Sequence, residues 1–161
     1  MIIYNGTDNS PDPYSQQVDE AVSCAIRHIG IATYSSGKIK AFLMNKGFSD
    51  NVAEDAVAEL ISRQYIDDTK AAGKVLRYRT GKKQESRAYI FKRLIEAGIS
   101  EDTAEMICEE LASDKKTCVM LFESLDIAGD PLEHRDEYIS VASRRGYSYE
   151  QASSAFDEFL S

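Results

Sequence analysis

Cys24 and His28 stand four residues apart, a spacing that puts a thiol and an imidazole on one face of a helix, where the pair could hold a metal ion. A structural zinc site needs four ligands and no second pair lies nearby, so they read as a buried thiol beside a partly exposed imidazole. His134, which follows Pro131, Leu132 and Glu133, has no evident partner in the sequence. The neighbouring acids Glu109 and Glu110, like Asp67 and Asp68, have the types for acid–base work, yet on exposed helix faces such pairs are solvated surface. There is no nucleophile elbow, phosphate-binding loop, dinucleotide fingerprint or HExxH pair in the sequence. The expectation is a protein with no catalytic residues, no cofactor and no metal.

Charge is the more informative chemistry. Lys70, Lys74, Arg77, Arg79, Lys82, Lys83, Arg87, Lys92 and Arg93 fall within one short segment that Glu85 alone opposes, for a local balance of +8. Residues 1–69 carry five basic and ten acidic side chains, and residues 94–161 five and sixteen, so the chain total is -8 with a pI near 4.8. As an average, that total disfavours nucleic acid or an anionic membrane; the basic middle segment escapes the objection. Lys70, Lys74 and Arg77 recur at helical spacing, and Tyr78 and Tyr89 add aromatic surface among them, a combination suited to phosphates or an acidic protein face.

The elements that must carry this strip are helical. In 161 residues there are nine Gly, three Pro and no Trp, little material for a turn-rich sheet protein. Val18, Ala21, Val22, Ala25 and Ile29 form one helix stripe, and Ile39, Phe42 and Leu43 a second that stops at Gly47. Ser49 then caps a third helix, whose apolar positions are Val52, Ala53, Ala56, Val57 and Leu60. A shift of 51 residues carries Ile39, Leu43, Gly47, Phe48, Ser49 and Ala53 onto Ile90, Leu94, Gly98, Ile99, Ser100 and Ala104. A further 48 residues reaches Tyr138, Ala142, Gly146, Tyr147, Ser148 and Ala152, where Ser148 and Gln151 complete a capping box. The pattern predicts an all-α protein: a mobile leader over 1–14, then three tandem three-helix repeats over 15–64, 65–114 and 115–161. Units of about 50 residues are marginal alone, so stacking into an elongated, curved helical solenoid is expected.

No apolar run approaches the roughly 18–20 residues of a membrane span. The N-terminal residues lack the basic start and apolar stretch of a secretory signal, and Cys24, Cys108 and Cys118 are oddly and widely spaced. A cytoplasmic protein with reduced thiols is the expectation.

Several phrases resemble the RecX family of regulatory proteins: Leu43-Met44-Asn45-Lys46-Gly47-Phe48, Leu60 followed by Tyr65-Ile66-Asp67-Asp68, a basic fourth helix ending at Gly81, and Leu94 with Gly98-Ile99. The resemblance covers roughly residues 17–161 and implies tandem three-helix repeats. It implies also a non-enzymatic modulator, usually an inhibitor, of the RecA recombinase in DNA repair and the SOS response. Such proteins lie along the groove of the RecA filament on single-stranded DNA, so the expected partners are that filament and, through the middle repeat, single-stranded DNA; a monomer is expected. Two other readings stay open, a helical DNA-binding module acting without RecA and a protein-only helical scaffold.

Overall fold

A computed structural model describes residues 10–161. Nine α-helices and two short 3-10 turns make up the described chain, with no strand among the described residues. The first nine residues of the expected leader lie outside that range, and α1 opens at Pro13, so Pro13 and Tyr14 are helical. Proline suits this place because its missing N–H would have no helical acceptor. The chain divides after Asp67 into two compact units.

The first unit holds α1 (Pro13–Ile29), α2 (Ser36–Asn45) and α3 (Asp50–Ser62). α3 packs on both α1 and α2. Its core joins Ala21, Val22 and Ala25 of α1 to Ile39 and Leu43 of α2 and to Val52, Ala56 and Leu60 of α3. Ile66, 2% exposed, closes it after the last helix. The interior matches the stripes read from spacing because residues three and four apart share a helix face.

The second unit holds two more triplets. α4 (Asp68–Leu76), α5 (Arg87–Glu96) and α6 (Glu101–Glu110) enclose Ala72, Ile90, Leu94, Ile99, Ala104 and Ile107. α7 (Asp114–Ser124), α8 (Arg135–Arg144) and α9 (Tyr149–Leu160) enclose an aromatic cluster in which Phe122, Tyr138, Phe156 and Phe159 meet with ring centroids 5.3 to 6.1 Å apart. The 3-10 turns are Gly81–Lys83 and Pro131–His134.

One turn recurs in all three triplets. After α2, the N–H of Phe48 donates to the carbonyl of Leu43 and that of Gly47 to Met44; after α5, Ile99 donates to Leu94 and Gly98 to Ile95; after α8, Tyr147 donates to Ala142 and Gly146 to Ser143. These paired bonds satisfy the last helical carbonyls and require a left-handed residue, supplied by Gly47 at φ +100°, Gly98 at +84° and Gly146 at +90°. Ser49, Ser100 and Ser148 follow immediately and accept the amides that open α3, α6 and α9. The Ser148–Gln151 capping box is present in full. α3 ends in the same pair of bonds, Tyr65 to Leu60 and Gln64 to Ile61, but with Gln64 in the left-handed place at φ +64°.

The basic fourth helix is shorter than the resemblance implied. It stops at Leu76, and residues 77–80 leave the helical path before Gly81, which at φ +58° cannot continue a right-handed helix. Within the second unit the two triplets are tied by polar contacts. Ser86 N–H donates to Arg145 O at 3.0 Å, and Asp114 accepts from Arg87 N–H at 2.8 Å and from Gln151 Nε2 at 2.9 Å. Thr117 Oγ1 and the Tyr147 hydroxyl lie 2.8 Å apart, and burial pushes that phenol's pKa up. None of the described helices is long and apolar enough to cross a membrane.

Candidate partner-binding surface

All nine basic residues of the strip belong to the second unit, and the fold gives them two different uses. Ala72 anchors α4 in the core while Lys70 and Lys74, one turn apart, are exposed. Arg77 continues that side, its N–H donating to Gly73 O at 3.1 Å, and Tyr78 beside it is 62% exposed. Lys82 and Lys83 stand out from the 3-10 turn. Lys82 reaches Asp126, and this contact holds the Asp126 carboxyl below its ordinary pKa. Both partners remain exposed, a setting in which an ion pair contributes little to stability. Lys92 is exposed and meets Glu96 at 4.0 Å along α5. Tyr89, 40% exposed, shares a shallow depression with Lys92, Arg93 and Glu96.

Arg79, Arg87 and Arg93 are turned to internal work. Glu85 is 2% exposed, and Arg93 grips it through Nε at 3.1 and 2.9 Å and through Nη2 at 2.9 Å. Arg79 Nη1 approaches the same carboxylate at 3.5 Å. A buried carboxylate is tolerated when paired in this way, and the pairing in turn pushes the pKa of Arg93 up. Arg87 donates to the carbonyl of Leu111, just past the end of α6, where a cation also meets the negative end of the helix dipole.

Spacing showed the nine cations but not this division. Glu85 looked like a lone acid diluting a basic strip; it is the group around which two of the arginines are organised. The signal available was its place in Gln84-Glu85-Ser86, directly before a helix capped by Ser86, where all three residues are buried.

The other candidates keep structural roles. The His28 ring stacks on Phe42 with centroids 3.8 Å apart and planes 9° from parallel, and Cys24 packs half-buried against the first core. No group of three metal-ligating side chains gathers among the described residues. His134 lies 3.5 Å from Glu137 one helical turn on. Burial pushes the Cys108 thiol up and the fully buried Cys118 thiol up to about 12, which keeps both protonated and poorly nucleophilic at neutral pH. Asp68 accepts the backbone N–H of Ser100 at 2.9 Å, joining the start of α4 to the start of α6.

No family-wide sequence profile matches the chain. Among curated proteins it is similar to the regulatory protein RecX of Prosthecochloris aestuarii, at 25% identity over 142 residues, 88% of this chain and 94% of that one. The regulatory protein RecX of Treponema pallidum is 30% identical over 109 residues, 66% of each chain. The crystal structure of RecX from Lactobacillus salivarius superposes with a TM-score of 0.67 at 16% identity, covering 91% of this chain and 98% of that one, and shares the fold. With the capped Lys46-Gly47-Phe48 turn, the Tyr65-Ile66-Asp67-Asp68 step and the all-helical fold in place, these likenesses establish that the chain belongs to the RecX family of regulatory proteins.

Proposed function

We propose that this protein regulates a RecA-type recombinase without chemistry of its own, by binding the recombinase or its filament on single-stranded DNA and inhibiting its ATPase and strand exchange in DNA repair and the SOS response. The three helix triplets are, on this reading, tandem copies of a unit of about 50 residues. Its setting is the cytoplasm, and the protein acts as a monomer. The observation that carries the proposal is the outward part of the basic strip. Lys70, Lys74, Arg77, Lys82, Lys83 and Lys92 are exposed, as is Tyr78, in a chain whose overall charge is negative. Arg79, Arg87 and Arg93 support that surface by fixing the backbone that displays it.

The division of labour dictates the test. Reversing Arg79 would disrupt the Glu85 contacts and confuse binding with folding, so the informative variant is Arg77→Glu with Lys82→Glu and Lys83→Glu. Its circular dichroism should match the parent, while its inhibition of RecA ATPase on single-stranded DNA should be lost. If the three cations neutralise single-strand phosphates, their contribution weakens by about two decades per tenfold rise in salt, from a slope near 0.7 per phosphate. Undiminished inhibition by the triple variant would sink the basic-surface reading.

A module that binds DNA without RecA is less well supported. The helices after the glycine turns begin with Asp50, or with Glu101 and Asp102, and continue through Glu54, Asp55, Glu105 and Glu109, a composition that repels phosphates. Retention on single-stranded DNA beads in the absence of RecA, at the level seen in its presence, would favour that module instead.

A further inference from the structure

The second helix of a triplet opens on arginine in two cases, Arg87 in α5 and Arg135 in α8, and on Ser36 in α2. Both arginines reach across to the third helix of their own triplet. Arg87 donates to the carbonyl of Leu111 just past α6, and Arg135 Nη2 donates to Ser153 Oγ at 2.8 Å while its guanidinium covers the Phe156 ring, 5.7 Å from the centroid. At Ser36 the corresponding place is an open groove of about 290 Å³, walled by Ser36, Gly37 and Lys40 of α2 and by Glu54, Val57 and Ile61 of α3. The register of the two third helices matches. Counted from the caps Ser49 and Ser148, Glu54 stands where α9 has Ser153, Val57 where it has Phe156, and Ile61 where it has Leu160.

We propose that this groove receives an arginine side chain from a partner protein, in the way that α9 receives Arg135. The methylene stem lies along Val57 and Ile61, the latter 49% exposed, and the guanidinium meets the Glu54 carboxylate. A carboxylate suits a guanidinium better than the hydroxyl of Ser153 does, since its two oxygens accept two parallel N–H bonds. Lys40 does not fill the role, because its Nζ is held by Asp50 at 3.0 Å. A volume near the lower bound of about 300 Å³ for small-molecule sites admits one long side chain and no cofactor. Arginines seated in such pockets are frequent anchors of protein interfaces. The groove belongs to the first unit and is measured with neither RecA nor DNA, so its failure leaves the filament reading standing.

The test titrates the capped tripeptide acetyl-Gly-Arg-Gly-amide into the full chain and follows the backbone amides of Gly37, Val57 and Ile61 by NMR. Saturable shifts are expected, with a dissociation constant of tens of millimolar fitting one side chain without its protein. The same peptide with citrulline for arginine, similar in shape but uncharged, should give no saturation over that range, nor should the arginine peptide with Glu54→Gln. Ser36→Arg restores within the chain the residue that α5 and α8 carry, and should abolish saturation with an unchanged circular dichroism spectrum. Ala58→Trp, on an exposed lining residue, supplies a second obstruction if that variant fails to fold. Sedimentation of the chain alone tests the other occupant: self-association that Glu54→Gln abolishes assigns the groove to a second copy and overturns the proposal. It is overturned equally if the arginine peptide gives no saturable shift, if the citrulline peptide or Glu54→Gln binds alike, or if obstruction leaves binding intact.

Discussion

Among the described residues up to Asp67, the buried side chains are aliphatic, from Ile39, Leu43, Val52 and Leu60 to the small alanines between them, and the buried polar residue is Ser35, which caps α2. From Asp68 onward the interior also takes in Gln84, Glu85, Ser86 and Thr117, with the Tyr147 hydroxyl bonded among them. The first unit keeps its ion pairs at the surface, as in Lys40 with Asp50 at 3.0 Å. The second folds part of its charge inward and leaves the rest outside. A count of charges along a sequence is therefore not a count of charges offered to a partner, because burial and pairing decide which remain available.

The largest effect that would break this contrast is removal of the buried pair. Arg93→Met leaves the Glu85 carboxylate with only the 3.5 Å approach of Arg79, and a loss of about 3 kcal/mol in urea unfolding is expected from the cost of stranding a buried charge. Lys40→Met in the first unit, which strands only an exposed carboxylate, should leave the urea midpoint unmoved. Next come the matched glycines. A Cβ on Gly146 would sit 2.4 Å from the Tyr89 ring, whereas one on Gly47 meets nothing within 4 Å. Both substitutions to alanine carry the left-handed penalty of about 1–2 kcal/mol, and Gly146→Ala should lose clearly more. Adding Tyr89→Ala should recover part of that excess, the contact with Ser86 Oγ at 2.6 Å remaining, and a double-mutant cycle reads the coupling directly.

A smaller effect separates the two units by pH. The Cys118 thiol is raised from 9.0 to about 12 by burial and by Asp114, so the folded state holds a proton that the unfolded chain releases. This contribution is complete below pH 9 and is lost as pH rises from 9 towards 12, amounting to about 1.4 kcal/mol at pH 10 for one thiol. Tyr147, raised in the same direction, extends the loss at the alkaline end. Cys118→Ala should lower stability at neutral pH yet flatten this alkaline fall; an unchanged slope would show that the thiol does not cause it. The smallest effect is a gain. Gln64 occupies at φ +64° the place that glycine takes after α2, α5 and α8, so Gln64→Gly should stabilise the protein by about 1 kcal/mol in thermal unfolding.

The features most legible in the sequence are those set by local chemistry. Gly47, Gly98 and Gly146 followed by an apolar residue and a serine dictate a helix end, a left-handed step and a new helix within three residues, and each triplet shows that geometry. The apolar stripes were equally plain, since burial follows helical period. What escaped is tertiary. The inward turn of Arg79 depends on a glutamate nearby in space whose burial no spacing reports, and Asp114 receives its two donors from α5 and α9. The basic strip was readable as composition but not as two populations, because arginine and lysine look alike in a charge count and differ in how they pair.

The closure of the first core by Ile66 has a consequence for the order of events on the ribosome. Every residue of that core comes from the first 66 positions, so it can assemble once Ile66 has left the exit tunnel, while the later part of the second unit is still to be made. At about 5–20 residues per second that synthesis occupies seconds, far longer than helical units of this size need to fold. The second unit has no such lead: α7 packs on α9, so its aromatic cluster waits for Phe156 and Phe159. During that interval the nascent chain carries a finished helical head and an unfinished body that still exposes apolar surface.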